Sequence, residues 1–249
     1  MLARLRGLSL QLISRLPAVL PGACALCGHV AGASLCNGCH RQFFERRPHR
    51  CAQCATALPA GAASAGMVCG ECLREPPAFD ATIAAVDYAP PVDQLVLGLK
   101  FGGRLAVAPL FAGMLQKAVA ANCPPFALPA LLTAVPLGTG RLMERGFNQA
   151  LEIARPLSRS LGIALDARLV ARHRDTRAQA LLPPDERRKN MRGAFIVPGA
   201  SMERVRGMHV GVVDDVVTTG ETLNELAATL KRFGAARVTN FVFAKTPQK

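Results

Sequence analysis

The chain has 249 residues, half of them hydrophobic and 19% charged, with a mean hydropathy of +0.23. That is enough apolar surface to bury a core, and it excludes a disordered chain. Thirty Lys and Arg against 17 Asp and Glu leave a net charge of +13, which attracts phosphate-bearing partners or an anionic surface but specifies no fold.

The first 23 residues read as an amphipathic N-terminal segment, because Leu5, Leu8, Leu12, Ile13 and Leu16 recur at helical spacing opposite Arg4 and Arg15. Gln11 and Arg15 interrupt an apolar run already short for a signal peptide, so a cytoplasmic location is expected. Residues 16–40 and 118–140 lack charged side chains and are long enough to cross a bilayer. The first contains Pro17, Pro21 and four cysteines, and the second contains Pro124, Pro125, Pro129 and Pro136. Prolines strip a lipid-exposed helix of backbone hydrogen bonds, so no membrane span is expected.

Eight of the nine cysteines fall in residues 24–75, as the pairs Cys24/Cys27, Cys36/Cys39, Cys51/Cys54 and Cys69/Cys72. Two residues between thiolates form the tight turn a tetrahedral zinc requires. A disulfide framework needs an oxidising compartment, and a redox Cys-x-x-Cys normally occurs once. Zinc is therefore expected, one or two ions, in a structural role because four thiolates leave no open coordination position. Sequential pairing gives two ribbons, while spacing alone also admits interleaved pairs or one loaded site. His29, His40 and His49 are expected at the surface.

Composition changes near residue 75, and residues 74–79, with Pro76 and Pro77, read as a stiff connector. Beyond it, residues 79–249 form a second domain. Strands are expected at 81–86, 131–135, 194–197, 210–213 and 238–243, and helices at 92–100, 104–120, 142–161 and 221–233, the last ended by Gly234. Pro109 disturbs the second of these helices. Alternating strands and helices, with strands too uniformly apolar to have a wet face, indicate an α/β fold whose parallel sheet is covered on both sides.

Residues 210–222 read V-G-V-V-D-D-V-V-T-T-G-E-T. An apolar strand delivers Asp214 and Asp215 at its carboxyl end, where open α/β sheets bind ligands. The chain then turns through Thr218, Thr219 and Gly220 into a helix, and Val216, Glu221 and Thr222 join these as candidate substrate-binding residues. Glycine allows close backbone approach to a phosphate, and the helix N-terminus offers N–H groups and a positive dipole. Two carboxylates suit adjacent ribose hydroxyls or, through water, Mg²⁺. A Walker B strand is disfavoured because no G-x-x-x-x-G-K-[ST] is present.

These thirteen residues resemble the 5-phosphoribosyl-1-pyrophosphate (PRPP) signature of type I phosphoribosyltransferases. The resemblance implies that Asp214 and Asp215 contact the ribose and that Thr218, Thr219, Gly220, Glu221 and Thr222 hold the 5′-phosphate, with Mg²⁺ accompanying PRPP. Residues 135–149, containing Pro136, Leu137, Arg141, Arg145, Gly146, Phe147, Asn148 and Gln149, are similar to the block that distinguishes the ComF family, competence-associated phosphoribosyltransferase-like proteins. Arg174, Thr176, Gln179, Arg187 and Asn190 extend that similarity. It implies a double zinc ribbon fused to a type I phosphoribosyltransferase-like domain with a parallel sheet and flanking helices.

On chemistry alone, Pro136–Arg145 follows a strand and is rich in Gly and Arg, so it suits pyrophosphate. Residues 168–192 carry eight basic and three acidic side chains and read as a mobile flap, with Arg174 and Arg187 as candidates to close over the substrate. Two functions follow: transfer of a phosphoribosyl group to a nitrogen acceptor, or a PRPP sensor that binds nucleic acid. Residues 1–50 hold seven arginines against Glu45 alone, which suits sequence-independent contact with DNA, mainly single-stranded. With no Trp and one Tyr, base stacking would fall to Phe43 and Phe44. The resemblance adds a protein partner in the competence machinery.

Overall fold

A computed structural model describes residues 22–45, 48–59, 66–124, 127–173 and 191–247, in two compact units that divide between residues 46 and 47. Residues 1–21 of the N-terminal segment, and 174–190 of the flap with Arg174 and Arg187, lie outside the described residues.

In the first unit, β1 (Gly22–Ala23) pairs antiparallel with β2 (Val30–Ala31), followed by α1 (Asn37–Phe44). Cys36 is the N-cap of α1, its sulfur accepting the Cys39 N–H at 3.4 Å. A cysteine thus both starts a helix and faces the cluster described below.

The second unit holds the remaining cysteine pairs and the α/β fold. After α2 (Gly70–Arg74) come β3 (Ala81–Asp87) and α3 (Val92–Phe101), both at their expected places. The expected 104–120 helix divides into a 3₁₀ turn at Leu105–Val107 and α4 (Ala108–Asn122). Pro109 lies in the first turn of α4, where its missing N–H costs nothing. Then follow β4 (Leu131–Ala134), α5 (Thr139–Arg145), α6 (Gln149–Leu161), β5 (Ala164–Leu165), β6 (Ala171–Arg172), β7 (Phe195–Ile196), α7 (Met202–Val205), β8 (His209–Val217), α8 (Glu221–Arg232) and β9 (Arg237–Lys245).

Five strands form one parallel sheet in the order β3-β9-β8-β4-β5. Consecutive residues Val238 to Ala244 of β9 are all buried, so both faces of the sheet are covered. Helices α4 and α6 pack on each other and on the sheet, and the Phe111 ring of α4 stacks on Phe243 of β9 at 3.6 Å. The helical stretch Leu105–Asn122 is apolar and long enough for a membrane, yet it carries the fully buried Phe111 and Leu115 of this core.

Two expectations need correction. The helical period at 142–161 is continuous, but the chain breaks it into α5 and α6. Gly146 ends α5 in the left-handed conformation at φ 75°, and the Asn148 side chain caps α6 by accepting the Leu151 N–H at 3.3 Å. The strand expected at 194–197 lies outside the parallel sheet: β7 pairs antiparallel with β6. These short strands flank the 174–190 interval, so the apolar run served a local hairpin stem.

Strand β8 is central, and its Gly211 has no room for a side chain. A Cβ there would collide with the side chains of Leu132, Phe241 and Pro129, the last two at 2.8 Å. Gly211→Val is therefore expected to destabilise the α/β unit by about 1–3 kcal/mol. Thermal melting should register this as a fall of about 2–4 °C per kcal/mol.

Candidate functional site

Asp214 and Asp215 lie near the carboxyl end of β8, one turn of chain before α8. Their carboxylates fold back on the strand: Asp214 Oδ1 accepts the Asp215 N–H, and Asp215 Oδ1 accepts the Val216 N–H, each at 2.9 Å. Asp215 is 3% exposed, and its Oδ2 is 2.9 Å from Lys100 Nζ. Lys100 comes from the end of α3, after edge strand β3. Burial, and secondarily the Asp215 charge, push the Asp214 carboxyl up from 3.8 to about 8, with Lys100 opposing.

Arg145 completes this cluster. Its guanidinium lies over the Phe101 ring, 5.0 Å from the centroid, and burial lowers its pKa while the Asp215 charge acts in the opposite direction. The loop leading to Arg145 starts beside the acidic pair, since the Val135 N–H donates to Val213 O at 3.0 Å. Pro136 and Leu137 follow there. The Asn148 side chain holds this loop to α6, since Nδ2 donates to Val135 O at 3.0 Å and Oδ1 caps α6.

Thr218 and Thr219 are exposed. Gly220 enters α8 at φ 88° without a side-chain cap, a conformation open to glycine at low cost. The loop is fixed from beneath: Lys245 Nζ donates to Thr218 O at 2.5 Å, and the Thr246 N–H donates to Val217 O at 2.9 Å. The site thus offers two carboxylates with Lys100 paired to the second, then a threonine-glycine turn at a helix N-terminus. Sequence reasoning missed Lys100 and Lys245. Each ends an apolar element, which is the only local sign of its role; which strand each would stand beside depends on the sheet order.

The cysteines form two clusters in sequential pairing. Cys24, Cys27, Cys36 and Cys39 have all sulfurs within 4.8 Å of one another, as do Cys51, Cys54, Cys69 and Cys72. Four sulfurs about 2.3 Å from a common centre stand about 3.8 Å apart in a tetrahedron. The Cys27–Cys36 and Cys54–Cys69 sulfurs are 3.7 and 3.6 Å apart, so the donor sets fit zinc. Backbone N–H groups of Cys36 and Cys69 donate to the sulfurs of Cys24 and Cys51 at 3.4 and 3.2 Å. These bonds orient the ligands.

The second cluster belongs to the α/β unit. Edge strand β3 directs the Thr82 N–H to Ala52 O at 3.2 Å, and Arg50 pairs with Asp87 at 2.8 Å. The connector is pinned as well, with the Ala78 N–H donating to Asn224 Oδ1 at 2.7 Å and Gln53 Nε2 to Phe79 O at 3.3 Å.

Sequence comparison agrees with this geometry. Residues 148–249 match the Phosphoribosyl transferase domain and residues 16–73 the Double zinc ribbon domain. The fold and metal clusters therefore define a phosphoribosyltransferase-type α/β protein with an N-terminal double zinc ribbon. The chain is 37% identical over 232 residues to DNA utilization protein YhgH of Salmonella typhi, covering 91% of this chain and 98% of that one. It is 32% identical over 212 residues to competence protein F of Haemophilus influenzae, covering 84% and 90%. The chain belongs to the ComF family that these relatives represent. Among solved structures, purine phosphoribosyltransferase from Pyrococcus horikoshii aligns at 20% identity over 55% of this chain and 68% of its own, with a TM-score of 0.28, too low to carry an argument.

A raised Asp214 pKa has a definite sign. The folded protein keeps a proton that the unfolded chain releases, so this contribution to stability is full below about pH 4 and is lost as pH rises through about 8. Asp214→Asn should melt above wild type at pH 8.5, and the gap should close near pH 4; an equal shift at both values would contradict the burial of this charge. Elemental analysis should find two zinc ions per chain. Strong chelation should abolish the structure of both ribbons, and a metal-free protein with paired disulfides would refute the assignment.

Proposed function

We propose that the protein binds PRPP at the end of β8 and transfers its phosphoribosyl group to a nitrogen acceptor. The observation that carries this reading is the Asp214–Asp215 pair, with Asp215 buried against Lys100, leading directly into the Thr218–Gly220 turn and α8. The pair accepts hydrogen bonds from the ribose 2′- and 3′-hydroxyls, while the backbone and hydroxyl donors of Thr218 to Thr222 hold the 5′-phosphate. Arg145 and the Pro136–Leu137 turn take the pyrophosphate. The acidic pair would also hold Mg²⁺ with its waters. Held there, Mg²⁺ would supply charge neutralisation for the pyrophosphate leaving group.

In the reaction the acceptor nitrogen forms a bond to C1 as the C1–oxygen bond breaks, and pyrophosphate leaves with that electron pair. The chain's residues position the ribose and neutralise charge rather than form covalent bonds to it. Lys100 balances Asp215 at 2.9 Å. Burial of Asp215 strengthens its contacts over their value in water.

A second role in handling DNA is favoured by the charge of +13 and by relatives named for DNA utilization and competence. Contact with phosphates, sequence-independent and mainly on single strands, suits this charge. Arg50 is not available for it, since both ends of its guanidinium are committed to Ala55 O and Asp87. Arg41 is exposed.

Calorimetry with PRPP and Mg²⁺ tests the first reading, followed by pyrophosphate release across nitrogen acceptors. Asp214→Asn with Asp215→Asn should abolish PRPP binding, and unchanged affinity would sink the site. Thr219→Val should cost PRPP about 1.5–3 kcal/mol and leave a ribose without the 5′-phosphate unaffected. For DNA, affinity should fall as salt rises with a slope of about −0.7 per phosphate contacted on single strands. Replacing Arg41, Arg46 and Arg47 by Ser should flatten that slope; an unaltered slope would remove these residues from the interface.

A further inference from the structure

A recess of about 110 Å³ separates the second cysteine cluster from the turn that opens α8. Cys54, Thr56 and Cys72 line one side, Thr219 and Gly220 the other, and Lys245 lies between them. Lys245 is 5% exposed although it carries an ammonium group. Its Nζ donates a hydrogen bond to Thr218 O, the first carbonyl of the turn. Burial works against its charge, while Cys54, Glu71 and Cys69 favour it and Arg50 opposes. Four thiolates around one zinc dication carry a net charge of about −2, so a loaded second cluster would add its negative charge, beside Glu71, to the recess that Lys245 also lines.

The connection between the two sites is continuous. Phe79 follows the connector, and a Cβ on Gly220 would meet its ring at 3.9 Å. Ala78 is bonded to Asn224 in the first turns of α8, and Gln53 of the ribbon holds Phe79 O. The ribbon therefore reaches the turn along two routes, one through the charge of Lys245 and one through the connector.

We propose that the second Cys₄ centre braces the phosphate-holding turn through Lys245, so that zinc occupancy there and binding of a 5′-phosphosugar are thermodynamically coupled. This rests on the proposal that the Thr218–Thr222 turn holds the 5′-phosphate of PRPP. Coupling is reciprocal: if zinc favours the sugar phosphate, the sugar phosphate must retain zinc. Lys245 is a positioning residue in this scheme, since it touches the turn and not the ligand.

The full-length zinc-loaded protein tests it in two ways. Zinc release to a colorimetric chelator is followed with and without ribose 5-phosphate or PRPP; each ligand should slow release of one of the two ions at least threefold, while Mg²⁺-pyrophosphate alone should not. Calorimetry on Lys245→Met should show at least tenfold weaker binding of ribose 5-phosphate, unaltered binding of Mg²⁺-pyrophosphate, and loss of the protection of zinc. Lys245→Arg, which keeps the charge, should restore part of that protection. Ligand binding with equal zinc release in its presence and absence overturns the proposal, as does full affinity for ribose 5-phosphate in a folded Lys245→Met. If the Met variant does not fold, the wild-type release experiment decides alone. Failure of the wild-type protein to bind PRPP or ribose 5-phosphate overturns this inference together with the function on which it rests.

Discussion

Two adjacent carboxylates at the end of a buried strand require cations, and the architecture of the α/β unit is the means of bringing them. Asp215, 3% exposed, is balanced by Lys100 at 2.9 Å, and Arg145 is close enough for its charge to be felt. The three residues come from segments following β3, from β8 and from the helix following β4. Only a parallel sheet places the carboxyl ends of these strands on one side, which is why the site needs the whole sheet and not one motif. The compensation remains incomplete, because Asp214 is pushed toward neutrality rather than paired.

Much of this was legible in the sequence because its signals are local. The run V-G-V-V-D-D contains both the burial of the strand and the chemistry at its end, and T-T-G-E contains the turn and the start of the helix. Cysteine pairs with two intervening residues likewise specify their own geometry. The helix break at 146–148 was also written locally, in Gly146 and Asn148, but a continuous apolar period concealed it. Periodicity records which face is buried and is silent on whether the backbone stays helical between two buried turns.

Lys100 and Lys245 were not legible for a different reason. Each closes an apolar element, as a solvated end residue would, and its partner lies far away in sequence: Asp215 for one, Thr218 for the other. Their roles follow from the order β3-β9-β8-β4-β5, in which β9 stands beside β8 and puts Lys245 under the turn. The same holds for Arg50. Counted by charge, it belongs with the other arginines of the first fifty residues; by geometry it is the pin that joins the ribbon to Asp87.

The two ribbons share a ligand pattern but differ in what surrounds it. In the first, Cys27 and Val30 are exposed, so its metal orders a segment with little core of its own. In the second, Ala55 and Thr56 are buried, and Ala52 closes a backbone position on β3. That strand is the sheet's edge, where unpaired N–H and C=O groups invite pairing with another chain. The ribbon covers part of this edge while its connector supports α8 from the other side of the turn. A module too small for its own hydrophobic core thus gains one by docking, and the sheet in exchange gains a partly covered edge and a turn before α8 held from below.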